Sequence, residues 1–218
     1  MSPGECGSLD TMTRTTCHVS ISLDGFLAGP DQSFETPLGI GGESLHEWHF
    51  PSDGQLLESD AAPREHLSAA RGAYVMGRNM FGPPVRGEWT TWDPNWRGWW
   101  GDEPPYHAPV FVLTHHEREP VEMAGGTTFY FVTEGFDAAY ARAVEAAGED
   151  GEVLIAGGAS TIRQALAAGV LDEIYLDIAP ILLGAGERLL DGVADPGLTP
   201  VEVVASPRAT HIRYRIGG

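Results

Sequence analysis

The chain contains no lysine: all thirteen of its basic residues are arginine, set against 31 aspartates and glutamates, for a formal net charge of −18 over 218 residues. Without a lysine amine there is no Schiff-base chemistry and no Walker-type phosphate loop, so a bound phosphate must be held by arginine forks, hydroxyls and backbone N–H groups. The acidic balance argues against nucleic acids and anionic membranes as partners, because phosphate-rich surfaces are bound by basic stripes. Cysteine is nearly absent too. Cys6 and Cys17 are too few for a disulfide framework or a structural zinc site and read as reduced thiols. No run approaches the roughly 18 apolar residues of a membrane span, and MSPGECGSLDTMTRTT lacks the apolar stretch of a signal peptide. These absences predict a soluble, cytoplasmic protein, and the length predicts one large α/β domain over 14–217 behind a disordered leader over 1–13.

What is present is organised by period and punctuation. TTCHVSISLDGFLAG reads as a strand whose alternating Cys17, Val19 and Ile21 mark a buried face, followed by an Asp24-Gly25 turn into a second short strand. After the glycine-rich loop PDQSFETPLGIGGES comes a helix around APREHLSAARG, then AYVMGRNMF, an apolar strand ending at Gly77 and Arg78. The segment GPPVRGEWTTWDPNWRGWWGDEPPYHAP carries too much proline and glycine for regular structure and too many indoles for a solvated linker. Strands follow at PVFVLTHH and TTFYFVT, a helix at FDAAYARAVEAAG, and the strand EVLIA. A further helix after it carries Ile162, Ala165, Leu166 and Ala168 or Gly169 on one face. Strand-like pieces fill the C-terminal third. Alternating strands and helices with such a tail predict an α/β fold with a mixed sheet.

The junction VLIAGGASTIRQAL places Gly157 and Gly158 between a strand and a helix, where each glycine costs roughly 0.5–1 kcal/mol relative to alanine. Backbone N–H groups at a helix start, with the hydroxyls of Ser160 and Thr161, suit a pyrophosphate. A tight turn with an ordinary cap explains the same stretch when it is taken alone. Two other strand ends carry similar chemistry: Gly77-Arg78 suits a ribose phosphate, and Thr114, His115 and His116 place polar groups at the carboxyl edge of the sheet, where open α/β sheets bind ligands.

In this order, SLDGFLAGPD, VMGRNMF, PVFVLTHHERE, VLIAGGASTIRQALAAG and LDEIYLDIAPILLGAGERLL resemble the dihydrofolate reductase fold. More closely, they resemble the reductase domain of riboflavin biosynthesis, the RibD C-terminal domain family, from about residue 15 to residue 215. The resemblance implies a three-layer α/β/α arrangement with a central mixed sheet and an antiparallel C-terminal part. It also implies bound NADPH and hydride transfer to a small pterin-, pyrimidine- or flavin-like heterocycle. Carried over by motif, Gly77 and Arg78 match the Gly-Arg at the adenosine phosphate, and Leu113, Thr114 and His115 match the strand end beside the adenine ribose. Gly157 and Gly158 match the Gly-Gly pair, cis in dihydrofolate reductase, at the pyrophosphate and nicotinamide, with Ala159, Ser160 and Thr161 continuing the contact. Ser20, Leu27 and Ala28 fall where the family lines the nicotinamide, and Asp24 is the Ser-x-Asp-Gly aspartate, a chemical or a turn-forming residue. Three departures stand out. Met80 replaces a hydroxyl two places after the arginine, Ala156 replaces an acid common before the glycines in riboflavin reductases, and no deaminase zinc motif is present.

Hydride transfer asks the protein chiefly to hold two rings together in a water-poor cleft, with a proton source where the product needs one. Glu47 is the candidate donor, Trp48 beside it raising its pKa by desolvation; the alternative is a short helix burying Leu45, Trp48 and Phe50 with Glu47 in water. Trp48, Trp99 and Trp100 are the expected substrate contacts, Asp102, Glu103 and Pro104 lying near the pocket mouth. The Trp89–Trp100 segment reads either as a lid over an aromatic substrate or as a face buried against a second subunit. A homodimer through the C-terminal strands is expected. His46 and His49 flank Glu47 in HEWH but lack a convincing third ligand, so no metal is expected. Two rivals stay open: a protein that binds NADP(H) without catalysis, and a metal-dependent hydrolase built on HEWH.

Overall fold

In a computed structural model of the protein, residues 13–84, 93 and 95–217 are described. The strands are β1 (Arg14–Ser22), β2 (Phe26–Ala28), β3 (Ala73–Gly77), β4 (Pro109–Leu113), β5 (Val121–Glu122), β6 (Thr128–Val132), β7 (Glu152–Gly157), β8 (Glu173–Ala179), β9 (Glu187–Arg188), β10 (Leu198–Ala205) and β11 (Thr210–Ile216). The α-helices are α1 (Ala61–Leu67), α2 (Arg78–Phe81), α3 (Phe136–Ala147) and α4 (Ala159–Ala167), and short 3-10 turns lie at Gly42–His46, Glu58–Asp60 and Ala124–Gly126.

Nine strands form one mixed sheet in the order β10-β11-β8-β1-β7-β3-β4-β6-β5. The inner six, β8 to β6, are parallel, while β11, β10 and β5 add antiparallel edges. β1 lies inside the sheet, flanked by β7 and β8, and is buried along nearly all its length. Parallel strands covered on both faces read as nearly continuous buried runs, as β1, β3 and β7 do here.

Alternation along β1 sends Cys17, Val19 and Ile21 to one face, where they join Val75, Ile155, Ile162 and Ala165 under α3 and α4. α3 meets the sheet through Phe136, Ala139 and Ala143, small residues at helical spacing that bring the helix close to the strands. The opposite face beside β3 and β4 packs Tyr74, Met76, Val110 and Val112 against Phe81 and Phe129. On that face the cover is α1, α2 and 3-10 turns, so the third layer is thin. α4 ends at Ala167, which leaves Ala168 and Gly169 exposed and off the apolar face that the spacing assigns them. The described part of the tryptophan-rich segment is irregular up to Ala108, in line with its composition; Trp89 and Trp92 lie outside the described residues.

Candidate cofactor and substrate cleft

Four parallel strands, β7, β3, β4 and β6, aim their carboxyl ends at one cleft of about 930 Å³. At the end of β7 the Gly157-Gly158 peptide is cis, and Gly157 has φ 119°, a conformation that other residues rarely adopt. Gly157 is buried behind the wall; Gly158 lines the cleft, and a Cβ there would meet nothing within 4 Å. α4 starts at once, with the N–H groups of Thr161 and Ile162 donating to the Gly158 carbonyl at 3.0 and 3.2 Å. A helix start leaves its first N–H groups without intrahelical partners and carries the positive end of the dipole. Gly158, Ala159, Ser160 and Thr161 bring that end to the cleft. The β3 end is pressed against it: a Cβ on Gly77 would sit 3.0 Å from Thr161 Oγ1.

From there the cleft runs past Arg78, Asn79 and Met80, then Leu113, Thr114, His115 and His116, to Thr133, Gly135 and Phe136. Thr114 Oγ1 accepts from the His116 N–H at 3.1 Å and its own N–H donates to the Val132 carbonyl at 3.1 Å, which fixes the turn after β4. Burial lowers the Arg78 pKa, as expected for a guanidinium drawn partly out of water. In the other direction the walls are Leu27 and Ala28 of β2, Gln32, Pro37 and Leu38 of the following loop, Trp99, Trp100 and Glu187. Three strand spacings separate β7 from β6, and at about 4.8 Å each that part of the cleft runs roughly 14 Å.

The structure thus brings together most of the residues expected at a cofactor site, from three strand ends and one helix start. Four expected residues lie elsewhere. Ser20 is on the buried face of β1 that carries His18 and Ser22, and its Oγ accepts from Trp48 Nε1 at 2.9 Å. Trp48, 1 % exposed, is a core residue between the rings of His18 and His211 and does not line the cleft. Glu47 turns away and accepts from the Ser52 N–H at 2.9 Å and its hydroxyl at 3.2 Å, closing a local turn. The arrangement matches the alternative of a short buried segment, except that Phe50 is exposed.

Asp24 is the fourth. Its carboxylate accepts from the Ser22 hydroxyl at 2.6 Å and from the Leu183 and Gly184 N–H groups at 3.1 and 2.7 Å. The Ser22 bond above all, helped by these amides, holds its pKa down at about 2. It is a clamp between the β1–β2 turn and the loop after β8, and as a held carboxylate it is no proton donor at neutral pH. Of the segment after Trp100, Asp102 and Pro104 give their carbonyls to the 124–127 turn, and none of 102–104 lines the cleft.

HEWH does not assemble a metal centre: His46 and His49 pack edge to face at 5.2 Å, His49 also lies on the Trp48 ring, and burial lowers both pKa values, that of His49 to about 3. Among the described residues no three His, Cys, Asp or Glu side chains are grouped to hold a metal ion. Gln32, Leu38 and Glu187 are among the cleft residues that sequence reasoning missed. Glu187 reaches the wall because β9 pairs with β2, setting it opposite Ala28, a pairing between two- and three-residue strands that no local pattern announces.

A long cleft across the carboxyl ends of a parallel sheet, with a helix start at its middle, defines a ligand-binding α/β protein. The chain belongs to the RibD C-terminal domain family, whose sequence profile matches residues 14–212. No curated protein matches at a significant level. Among solved structures, a protein assigned to riboflavin biosynthesis from Shewanella sp. PV-4 has a TM-score of 0.62 at 22% identity, over 94% of this chain and 100% of the other. The diaminohydroxyphosphoribosylaminopyrimidine deaminase/5-amino-6-(5-phosphoribosylamino)uracil reductase of Thermotoga maritima gives 0.57 at 13% identity; the match covers 94% of this chain but only 57% of that longer one. A pyrimidine reductase-like protein from Corynebacterium diphtheriae gives 0.51 at 16% identity, over 94% and 92%. At these identities the likeness establishes the shared dihydrofolate reductase-like α/β fold.

Proposed function

We propose that the protein is an NADPH-dependent reductase of a small heterocyclic substrate. The observation that carries this reading is the convergence on one cleft of Gly158 and the α4 start, Arg78, and the Thr114–His115 strand end. The donor set suits the cofactor: backbone amides and the Ser160 hydroxyl for the diphosphate, Arg78 for the 2′-phosphate, and a floor at Gly158 with no Cβ, against which a flat ring can lie. When bound, NADPH supplies hydride from nicotinamide C4 to an electrophilic ring carbon of the substrate, whose displaced π pair takes a proton from water as NADP+ forms. The chain's own part is to orient the two rings and exclude solvent. Leu27, Leu38 and the two indoles provide the apolar walls for that. Family membership supports the reductase class, and the names of the neighbouring structures point the substrate toward pyrimidine-like rings.

Calorimetry with NADPH and with NADH on the folded protein tests the reading. Heat is expected with NADPH, and its absence with both coenzymes overturns the proposal. NADPH oxidation screened against pterins, flavins and pyrimidines then separates a reductase, which turns one over, from a protein that only binds the coenzyme. The homodimer would pair two chains through the C-terminal strands; sedimentation velocity reads it directly.

A further inference from the structure

The two halves of the cleft differ in the charge they offer. Toward β4 and β6 lie Arg78, His115 and His116, suited to the phosphates of a dinucleotide. Toward β2 the described lining residues are Leu27, Pro37, Leu38, Trp99 and Trp100, with Gln32 and Glu187 as the polar side chains, so the formal charge there is that of one carboxylate. In a chain without lysine, arginine is the permanently charged side chain that could meet a substrate phosphate at this end. Arg86 lies outside the described residues, and the described arginines flanking this end are turned to other work: Arg97, two residues before Trp99, donates from Nη2 to the Glu122 carbonyl at 2.6 Å. Arg188, next to Glu187, donates from Nη1 to the Asp24 carbonyl at 3.0 Å and stacks its guanidinium 4.3 Å from the Phe26 ring centre. Arg163 donates to the Arg188 carbonyl at 2.7 Å.

The indoles are held at their edges. Trp99 Nε1 donates to the Asn79 carbonyl at 3.4 Å, and its ring packs edge to face on Trp96 and beside Phe34. Trp100 hydrogen-bonds to Tyr106, a buried phenol whose pKa burial pushes up to about 12, yet its ring is 49% exposed. Edge-anchored indoles leave large flat faces for stacking at little cost in side-chain entropy. Gln32 Nε2 donates to the Pro37 carbonyl at 2.8 Å, which leaves its amide oxygen as an acceptor; Glu187 lines the same cleft. The Glu187 carboxylate only accepts hydrogen bonds, and the Gln32 amide oxygen is an acceptor as well. They favour a ligand rich in ring N–H or amino donors and disfavour an anion.

We infer that this reductase acts on a planar, phosphate-free heteroaromatic compound, stacked on Trp99 and Trp100 with its N–H edge toward Gln32 and Glu187. The inference rests on the reductase reading for which half of the cleft receives substrate. Three probes that share one ring system test it on the protein saturated with NADP+: lumichrome, riboflavin, and riboflavin 5′-phosphate, with tryptophan fluorescence quenching as the readout. NADP+ is titrated first, so loss of coenzyme binding identifies failure of the reductase reading and takes this inference with it. With NADP+ bound, lumichrome and riboflavin are expected to bind, and the 5′-phosphate at least about tenfold more weakly, from like-charge repulsion and unpaired desolvation. Trp100→Ala should weaken riboflavin about tenfold or more and leave NADP+ affinity unchanged, since the ring is half exposed and its loss spares the core. Glu187→Arg, at an exposed position, should narrow or reverse the preference over the 5′-phosphate. Equal or tighter binding of the phosphate ester by the wild-type protein, or no binding of any of the three once NADP+ is bound, overturns the inference.

Discussion

Asp24 and Arg78 show how differently two residues of one family pattern are used. Asp24 binds three donors, and because its folded pKa of about 2 lies below its ordinary 3.8, its contribution is complete above pH 3.8 and disappears as pH falls through about 2. Asp24→Asn is therefore expected to lower the thermal midpoint at neutral pH, with the gap to wild type closing across that acid window. If turnover is lost while the midpoint holds, Asp24 is chemical after all. Arg78 sits in the cleft wall, and Arg78→Ala should weaken NADPH by about 1.5–3 kcal/mol, the range for a hydrogen bond to a charged group. NADH, lacking the 2′-phosphate, should lose much less; equal losses in calorimetry remove Arg78 from that role. At this scale the motif residues that converge on the cleft are those at strand ends, as at Gly158. Glu47, Trp48 and Ser20 were misplaced because nothing local to them reports that the indole N–H reaches back across 28 residues to the Ser20 hydroxyl.

Among elements, the β7–α4 junction is central to the proposed cofactor site. A Cβ at Gly158 meets no atom of the fold within 4 Å, so Gly158→Val fills cleft space rather than core space. The expected outcome is a folded protein with an unchanged circular dichroism spectrum and coenzyme affinity reduced at least about a hundredfold, on the order of 3 kcal/mol. Retained affinity would return the glycine pair to a simple turn. β1, β3, β4, β6 and β7 were readable from their apolar runs, and α3 and α4 from their helical spacing, since burial imposes those patterns directly. β5 was not, because a two-residue strand has no period and exists only through its partner; ERLLDG, which contains β9, reads as strand-like, but its pairing with β2 was not legible. β9 brings Glu187 to the cleft, so a pairing invisible in sequence supplies a polar group of the proposed substrate half.

Across the whole molecule a chain of buried polar groups joins five elements. Asp60 before α1 meets His211 of β11 at 3.1 Å, His211 meets Asp177 of β8 at 2.7 Å, Asp177 meets His18 of β1 at 2.9 Å, and His18 meets His66 of α1 at 3.0 Å. Burial opposes charge on His211, but hydrogen bonds to Asp177 and Asp60 win and raise its pKa above the ordinary 6.5. Burial likewise opposes the charge on Asp177, and the bonds from His18 and His211 outweigh it and hold its carboxyl below the ordinary range. His211 therefore contributes its full stability below pH 6.5 and loses it as pH rises through its folded pKa. His211→Asn should destabilise by about 3 kcal/mol in mildly acidic buffer, the low end for breaking a buried pair. Denaturant titrations should show the deficit shrinking toward alkaline pH; a pH-independent deficit would mean that His211 acts as packing. His46, His49 and His66, kept neutral chiefly by burial, oppose this trend by costing stability as pH falls below 6.5.

By itself the sequence determined the absence of lysine chemistry, the α/β alternation, the strand cores and the glycine junction, because each follows from composition or from periods that span a few residues. Only the tertiary structure decided which carboxylate faces the cleft, which tryptophans are wall and which are core, and that three histidines and two aspartates share one side of the sheet. Those outcomes depend on pairings between residues far apart in the chain, such as Ala28 with Glu187 and His18 with Asp177, and no local pattern encodes which partner a folded strand will meet.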